Sequence, residues 1–326
     1  MATRVLSGMQ PSGALHLGNL LGALDNFVRL QEHHECFYFI ADWHALTTNF
    51  EDTSKIRFYA REMLIDWLAA GLDPEKSTLF IQSHVPQHAI LYLLLSMITP
   101  VPWLERNPTY KEKQDNIEGR DLSTYGFLGY PVLQAADILL YKGDFVPVGI
   151  DQLPHLELTR EITRRFNGLY KSIFPEPQAL LTEIPKVPGT DGRKMSKSYN
   201  NTINLSDTET EVRAKLKTMV TDPARVRRTD KGNPDVCPVF TLHKSVSTQA
   251  VIDRVNRECR TAEIGCIDCK KLSADAIVAR LTPIWEHRRK LEQQPGLVDE
   301  VIATGTQRAG VVARQTIEEV TDAMKL

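Results

Sequence analysis

Long apolar runs are what this 326-residue sequence has least of. The longest, "AILYLLLSMI" from Ala89 to Ile98, is far shorter than a bilayer-spanning helix requires, and Pro100 follows it closely. Charge of one sign is not in excess either: 39 Lys and Arg stand against 41 Asp and Glu, for a net charge of −2. A global field for gathering nucleic acid is thereby excluded, so any such partner must be met by local basic patches. Low-complexity tracts and internal repeats are both missing, which leaves an ordinary globular composition. Cysteine is sparse, five in all, and four of the five fall in one region. The opening "MATRVLSGMQPSG" meets Gly and Pro before an apolar leader can form, so the expected location is the cytoplasm, with no membrane association. In that reducing compartment the clustered cysteines argue against a disulfide framework and for metal ligation.

The chain is long enough for two domains. Its first part alternates strand and helix signals. "TRVLSGM", "CFYFIAD", "TLFIQS" and "FVPVG" are rich in β-branched and aromatic residues and predict strands. Leu20, Leu24, Phe27 and Val28 keep helical spacing, and Ile56, Tyr59, Ala60, Met63, Leu64, Trp67 and Leu68 mark a second helix stopped by Gly71 and Pro74. "DQLPHLELTREITRRF" predicts another helix. Such alternation implies an α/β fold: a Rossmann-like parallel sheet whose ligands gather at the strands' carboxyl ends. From about residue 206 helical, charged segments take over, which predicts an all-helical second domain. We therefore read residues 1–205 as a nucleotide-binding domain with a helical insertion at about 100–145. Residues 206–326 form the helical domain, with the C-terminal helix packing back on the first.

Two strings carry chemistry. "QPSGALHLGN" occupies the turn from the first strand into the first helix, where a parallel sheet presents a helix N-terminus to phosphate. His16 and Asn19 supply hydrogen-bond donors there, and Gly18 lets a nucleobase or ribose approach the backbone. The second string, "DGRKMSKS", sets Lys194 and Lys197 three residues apart between Ser196 and Ser198. Two ammoniums and two hydroxyls on one loop suit a developing pyrophosphate. Taken alone, the first string reads as a simple helix start and the second as a solvated basic loop. Their conjunction on a parallel-sheet chain resembles the paired signatures of class I aminoacyl-tRNA synthetases.

Within that class the chain resembles the tryptophanyl-tRNA synthetases. "SGMQPSGALHLGNLLGAL", "YPVLQAADILLY" and "VPVGIDQLPHLELTR" carry the likeness, which covers nearly all of the first 205 or so residues and continues more weakly to the end. The resemblance implies ATP, as its Mg²⁺ complex, held by Gln10, Pro11, Ser12, His16, Gly18, Asn19, Gly149, Ile150, Asp151, Val187, Lys194, Met195, Ser196, Lys197 and Ser198. It implies catalytic roles for Lys194, Lys197, Lys113 and Gln10. It also implies a tryptophan pocket of Asp137, Gln152, Tyr130, Gln134 and His44. There Asp137 matches the acid that receives the indole N–H, a group that can only donate. The family often has Thr in place of His16, and many bacterial members carry Met where Gln134 stands. Tyr130, Gln134 and Asp137 also resemble the sister tyrosyl-tRNA synthetases, so tyrosine is the alternative substrate, and a catalytically silent tRNA-binding paralogue is a third reading. As bare residues, Tyr130, Gln134 and His44 equally suit core packing, and Lys111 and Lys113 surface charge.

The implied partners are tRNA(Trp) and a second copy of the chain. Basic clusters at Arg225, Arg227, Arg228 and Lys231, at Lys270 and Lys271, and at Arg288, Arg289 and Lys290 are candidate phosphate contacts. In the same region Cys237, Cys259, Cys266 and Cys269 are separated by 21, six and two residues. Four thiols with one CxxC pair satisfy tetrahedral zinc or a 4Fe–4S cluster, and cysteines holding no metal remain an alternative. A subset of bacterial tryptophanyl-tRNA synthetases carries an iron–sulfur cluster on such spacing, so resemblance favours the cluster over zinc. Cys36, in the second predicted strand, reads as a buried core thiol.

Overall fold

The computed structural model describes residues 3–107, 123–181 and 187–326. Five strands, β1 (Arg4–Met9), β2 (Glu35–Ile40), β3 (Ser77–Ile81), β4 (Phe145–Val148) and β5 (Gln178–Leu181), form one sheet in the order β3-β2-β1-β4-β5. Every neighbouring pair is parallel, with Met9 opposite Ile40, Ile40 opposite Ile81, and Val148 opposite Leu181. Four of these are the strands that the sequence predicts. β5 lacks the signal, because it is an edge strand of four residues, "QALL", with no residue fully buried. Strand order reverses between β1 and β4, which makes the gap at their carboxyl ends the place for a ligand.

Alternation along the strands feeds two apolar layers. Val5, Cys36, Tyr38, Ile40 and Leu79 face one layer, while Leu6, Phe37, Phe39, Phe80 and Val146 face the other. The first layer is covered by α1, which runs through Leu17–Asn19, a π-helical Leu20–Leu24 and Asp25–Leu30, and by α3 (Ile56–Ala69), with α2 (Asp42–Asn49) between β2 and α3. On the other side lie α4 (Gln87–Ser96), α6 (Tyr125–Leu140) and α7 (Leu153–Leu169), with the short α5 (Val101–Glu105) beside α6.

After β5 the described residues form helices and turns, with two isolated backbone bridges: α8 (Glu209–Thr218), α9 (Pro238–Val246), α10 (Gln249–Thr261), α11 (Cys266–Glu292) and α12 (Pro295–Met324). The fold class expected from the sequence is the one observed. The first apolar layer runs on without a break into this helical part, through Val212, Leu216, Phe240, Ile277, Leu281 and Ile284. α12 crosses back to the sheet, where Gly305 sits against the backbone of Leu79. Among the described residues no helix is long and apolar enough to cross a membrane.

Candidate active site

β1 delivers its last residue, Met9, into a turn that ends at the start of α1. Leu17 N–H donates to Ile203 O (2.8 Å) and Leu205 N–H to Leu15 O (2.9 Å), so the segment following the lysine loop pairs with this turn. His16 N–H donates to Asn19 Oδ1 (3.1 Å), which fixes that amide and leaves its nitrogen as the end for a ligand. A Cβ on Gly18 would lie 3.0 Å from the His16 ring, so Gly18 keeps room for the imidazole as well as for a ligand. Burial, aided by the nearby Lys197 charge, lowers His16 to about 4. At neutral pH it therefore offers a hydrogen bond rather than a positive charge.

The lysine loop is braced from within. Met195 N–H donates to Val187 O (2.9 Å) and Gly189 N–H to Arg193 O (2.7 Å). Buried Asn201 accepts from Ser196 N–H (2.8 Å) and donates to Asp191 Oδ1 (2.7 Å) and Lys194 O (3.2 Å). Lys197 Nζ crosses to the first turn, donating to Gly13 O (2.9 Å) with Ser12 Oγ at 3.5 Å. Ser12, His16, Gly18, Asn19, Val187 and the loop from Lys194 to Ser198 line one cleft of about 640 Å³, together with Gln10. The two strings, 175 or so residues apart in sequence, are one surface.

A second cavity, of about 250 Å³, opens at the carboxyl ends of β1 and β4 and is lined in part by Gln10, His44, Gln134, Asp137 and Gln152. Gln10 lines both hollows, so the two adjoin. Asp137, on α6, is buried and accepts three hydrogen bonds: His44 Nε2 on Oδ2 (2.8 Å), and Gln82 Nε2 (2.8 Å) and His88 Nδ1 (2.6 Å) on Oδ1. Burial pushes this carboxyl up, but the hydrogen bonds from His44 and His88 outweigh it and hold Asp137 below the ordinary range. It is thus an ionised acceptor in a wall that mixes apolar side chains such as Phe39, Ile138 and Val146 with the neutral amides of Gln10, Gln134 and Gln152.

Not every expected residue joins these cavities. Tyr130 lines a separate hollow of about 340 Å³ with Trp43 and Tyr92, and its hydroxyl lies 3.2 Å from His155 Nε2. Pro11 is buried beneath the first turn. Gly149 caps the short helical turn Ile150–Gln152, where Ile150 faces solvent. Lys111, Lys113 and the side chain of Asp151 lie outside the described residues.

A profile of the family described as tRNA synthetases class I (W and Y) matches residues 1–282. Over 325 residues the chain is 56% identical to the tryptophan–tRNA ligase of Thermotoga maritima, covering 99% of both chains. It is 46% identical to that of Aquifex aeolicus, covering 99% of this chain and 100% of the relative. The chain belongs to the class I tryptophanyl-tRNA synthetases. Among solved structures, the Campylobacter jejuni tryptophanyl-tRNA synthetase complexed with ADP and tryptophan superposes with a TM-score of 0.90 at 33% identity, covering 99% of this chain and 100% of that one.

All five cysteines of the synthetase are free, Cys36 in β2 and the other four in the helical part. Cys237 caps α9, Cys259 lies in the last turn of α10, and Cys266 and Cys269 open α11. α11 begins at the CxxC itself, behind an extended Gly265. The four thiols are close enough to perturb one another: burial pushes Cys269 up to about 12, and Cys237, Cys259 and Cys266 add to the rise. No three His, Cys, Asp or Glu side chains among the described residues are disposed to hold one metal ion. Two of the candidate tRNA contacts are corrected here. Arg225 is buried and donates to Arg228 O and Ile264 O, and Arg288 is buried among carboxylates, so neither belongs to a phosphate-binding face.

Proposed function

We propose that the chain couples ATP and L-tryptophan to form tryptophanyl-adenylate and pyrophosphate, then transfers the amino acid to tRNA(Trp) with release of AMP. What carries the reading is the meeting at Gln10 of a lysine-lined cleft and a pocket walled by an ionised Asp137. The tryptophan carboxylate attacks the α-phosphorus of Mg²⁺-bound ATP, the α–β anhydride bond breaks, and pyrophosphate departs. The attacking group is already an anion, so positioning and charge stabilisation suffice. Lys194 and Lys197, with Lys113, neutralise the phosphates. Gln10, Ser12, Gly18, Asn19 and Ser198 hold the nucleotide, and Asp137, Gln134, Gln152 and His44 orient the amino acid. In the second step the terminal adenosine's 2′-OH attacks the adenylate carbonyl and AMP leaves. Amino-acid-dependent ATP–pyrophosphate exchange tests the first step: tryptophan should support exchange and tyrosine should not. Exchange with neither would sink the enzyme reading.

The helical part from about residue 206 is the tRNA-reading domain in this proposal, and the enzyme works in the cytoplasm as a homodimer. Exposed Ile90 and Leu93 on α4, Met97 just after it and Val101 on α5 support an apolar dimer face, which sedimentation would reveal as twice the chain mass. By the chemistry of the donor set, four thiols, rather than by their present disposition, the four cysteines suit a 4Fe–4S cluster. Arg225 Nη1 lies 3.6 Å from Cys259 Sγ, its Nε has no hydrogen-bond partner, and among the described residues no carboxylate pairs with it. A buried guanidinium without a counter-charge fits a thiolate cluster better than four protonated thiols. Such a group would supply structural bracing of α9, α10 and α11, remote from the nucleotide. Stoichiometric iron and sulfide after anaerobic purification support it; zinc, or no metal, would replace it.

A further inference from the structure

A carboxylate has about four lone-pair positions for hydrogen bonds. On Asp137, Oδ1 is filled on both sides, by Gln82 Nε2 at 2.8 Å and His88 Nδ1 at 2.6 Å. Oδ2 has one position taken, by His44 Nε2 at 2.8 Å. One acceptor position is left, on the oxygen that His44 shares with the cavity. His88 and Gln82 are fully buried and are not part of the cavity wall, so neither touches a bound amino acid directly.

Their orientations are themselves fixed. Tyr141 is buried, and burial raises its hydroxyl well above the usual phenol range, so the proton stays on and is available to donate. Its hydroxyl lies 2.8 Å from His88 Nε2, which makes that nitrogen the acceptor and Nδ1 the donor to Asp137. Gln82 leaves its Oε1 buried without a partner, an arrangement that ordinarily costs free energy. A flipped amide would turn that oxygen on the carboxylate, so Asp137 selects the orientation seen.

We infer that His88 and Gln82 are specificity-determining positioning residues, which fill Oδ1 of Asp137 and reduce it to a single acceptor for a one-donor ring such as indole. This rests on the reading that Asp137 receives the indole N–H. The Tyr141–His88 contact extends the device to a third buried residue, which directly follows the helix that carries Asp137. Freed of these donors, the carboxylate would rotate or draw in water, and the ring N–H would lose its fixed partner.

The test compares tryptophan with β-(3-benzothienyl)alanine, a near-isostere in which sulfur replaces the N–H, by pyrophosphate exchange. Wild type should favour tryptophan strongly, because a site built around a donor rejects the analogue without it. Asp137→Asn is the control for the underlying reading: an unchanged preference would show that Asp137 does not read the ring at all. Given a collapse there, His88→Leu and Gln82→Leu should each cut the preference by at least about tenfold, the worth of one hydrogen bond to a charged group. The loss should lie in KM for tryptophan, with kcat for exchange largely kept. His88→Asn puts an amide donor near the Nδ1 position and should restore most of the preference. Tyr141→Phe removes one hydroxyl from a packed ring, is expected to fold as wild type does, and should lower the preference in the same direction. A preference untouched in folded His88→Leu, Gln82→Leu and Tyr141→Phe, alongside a collapse in Asp137→Asn, overturns the proposal.

Discussion

At the scale of single residues, Lys197 illustrates how burial sets chemistry. Desolvation lowers its ammonium to about 8, against an ordinary 10.5, although the charge of Asp66 opposes the shift. The sign follows directly. Below about 8 the folded enzyme carries the charge that phosphate needs, and above it the charge is lost while an unfolded lysine would keep it. The alkaline limb of kcat/KM for ATP, which reports the free enzyme, should therefore fall from about pH 8 upwards. Lys197→Arg should carry the plateau to higher pH, since guanidinium stays charged. A limb unmoved by that substitution would assign it to another group. Lys197→Ala should lower adenylate formation by on the order of 10² to 10³, as for loss of one transition-state charge contact, with tryptophan affinity little changed. The same residue also affects stability: between about 8 and 10.5 the unfolded chain holds the extra proton, so this group's contribution becomes more favourable as pH rises.

Among the elements, α12 shows how a glycine decides packing. A Cβ at Gly305 would stand 1.7 Å from Leu79 O and 2.7 Å from Leu79 C, both backbone atoms of β3 that cannot swing aside. In an isolated helix Gly→Ala gains about 1 kcal/mol. Here Gly305→Ala should instead destabilise, by about 1–3 kcal/mol, because α12 must lift from the sheet. Chemical denaturation reads the sign, and a stabilised variant would mean that the helix is not seated on β3. The turn at the start of α1 follows a related rule. His16 packs over Gly18, so a side chain there disturbs the nucleotide cleft before any ligand arrives.

For the whole molecule the question is what joins the helical part to the sheet. Trp285 donates from its indole nitrogen to Leu205 O (2.8 Å), and Arg280 pairs with Asp25. The strongest link is buried: Arg288 on α11 bonds to Glu62 and Asp66 on α3 and to Glu292 on its own helix. Burial raises Asp66 to about 6 even though Arg288 draws it down. Between the unfolded value of 3.8 and about 6 the folded chain holds a proton that the unfolded chain has released. This carboxyl's contribution to stability accordingly weakens as pH rises through that window. Arg288→Met leaves Asp66 as an uncompensated buried carboxylate and should cost about 3–5 kcal/mol. Adding Asp66→Leu should recover most of that loss, since an apolar pair of similar size can replace a buried ion pair. A double-mutant cycle by urea unfolding measures the coupling, and simple additivity of the two losses would show that the pair does not act as a unit.

Local composition by itself determined four of the five strands, the amphipathic helices and the two nucleotide strings, because each is written in residues adjacent or a turn apart. It also determined that Asp137, alone among apolar neighbours, needed partners, since a lone buried carboxylate is too costly to leave bare. What it could not determine was which partners. Gln82 and His88 carry no local signal beyond a polar residue at a strand's end and a histidine opening an apolar helix; the fold brings them to Asp137 across 55 and 49 residues. Edge strand β5, the Asn201 brace and the internal roles of Arg225 and Arg288 were invisible for the same reason. A charged side chain looks the same in sequence whether water or a carboxylate solvates it, and only tertiary structure decides which.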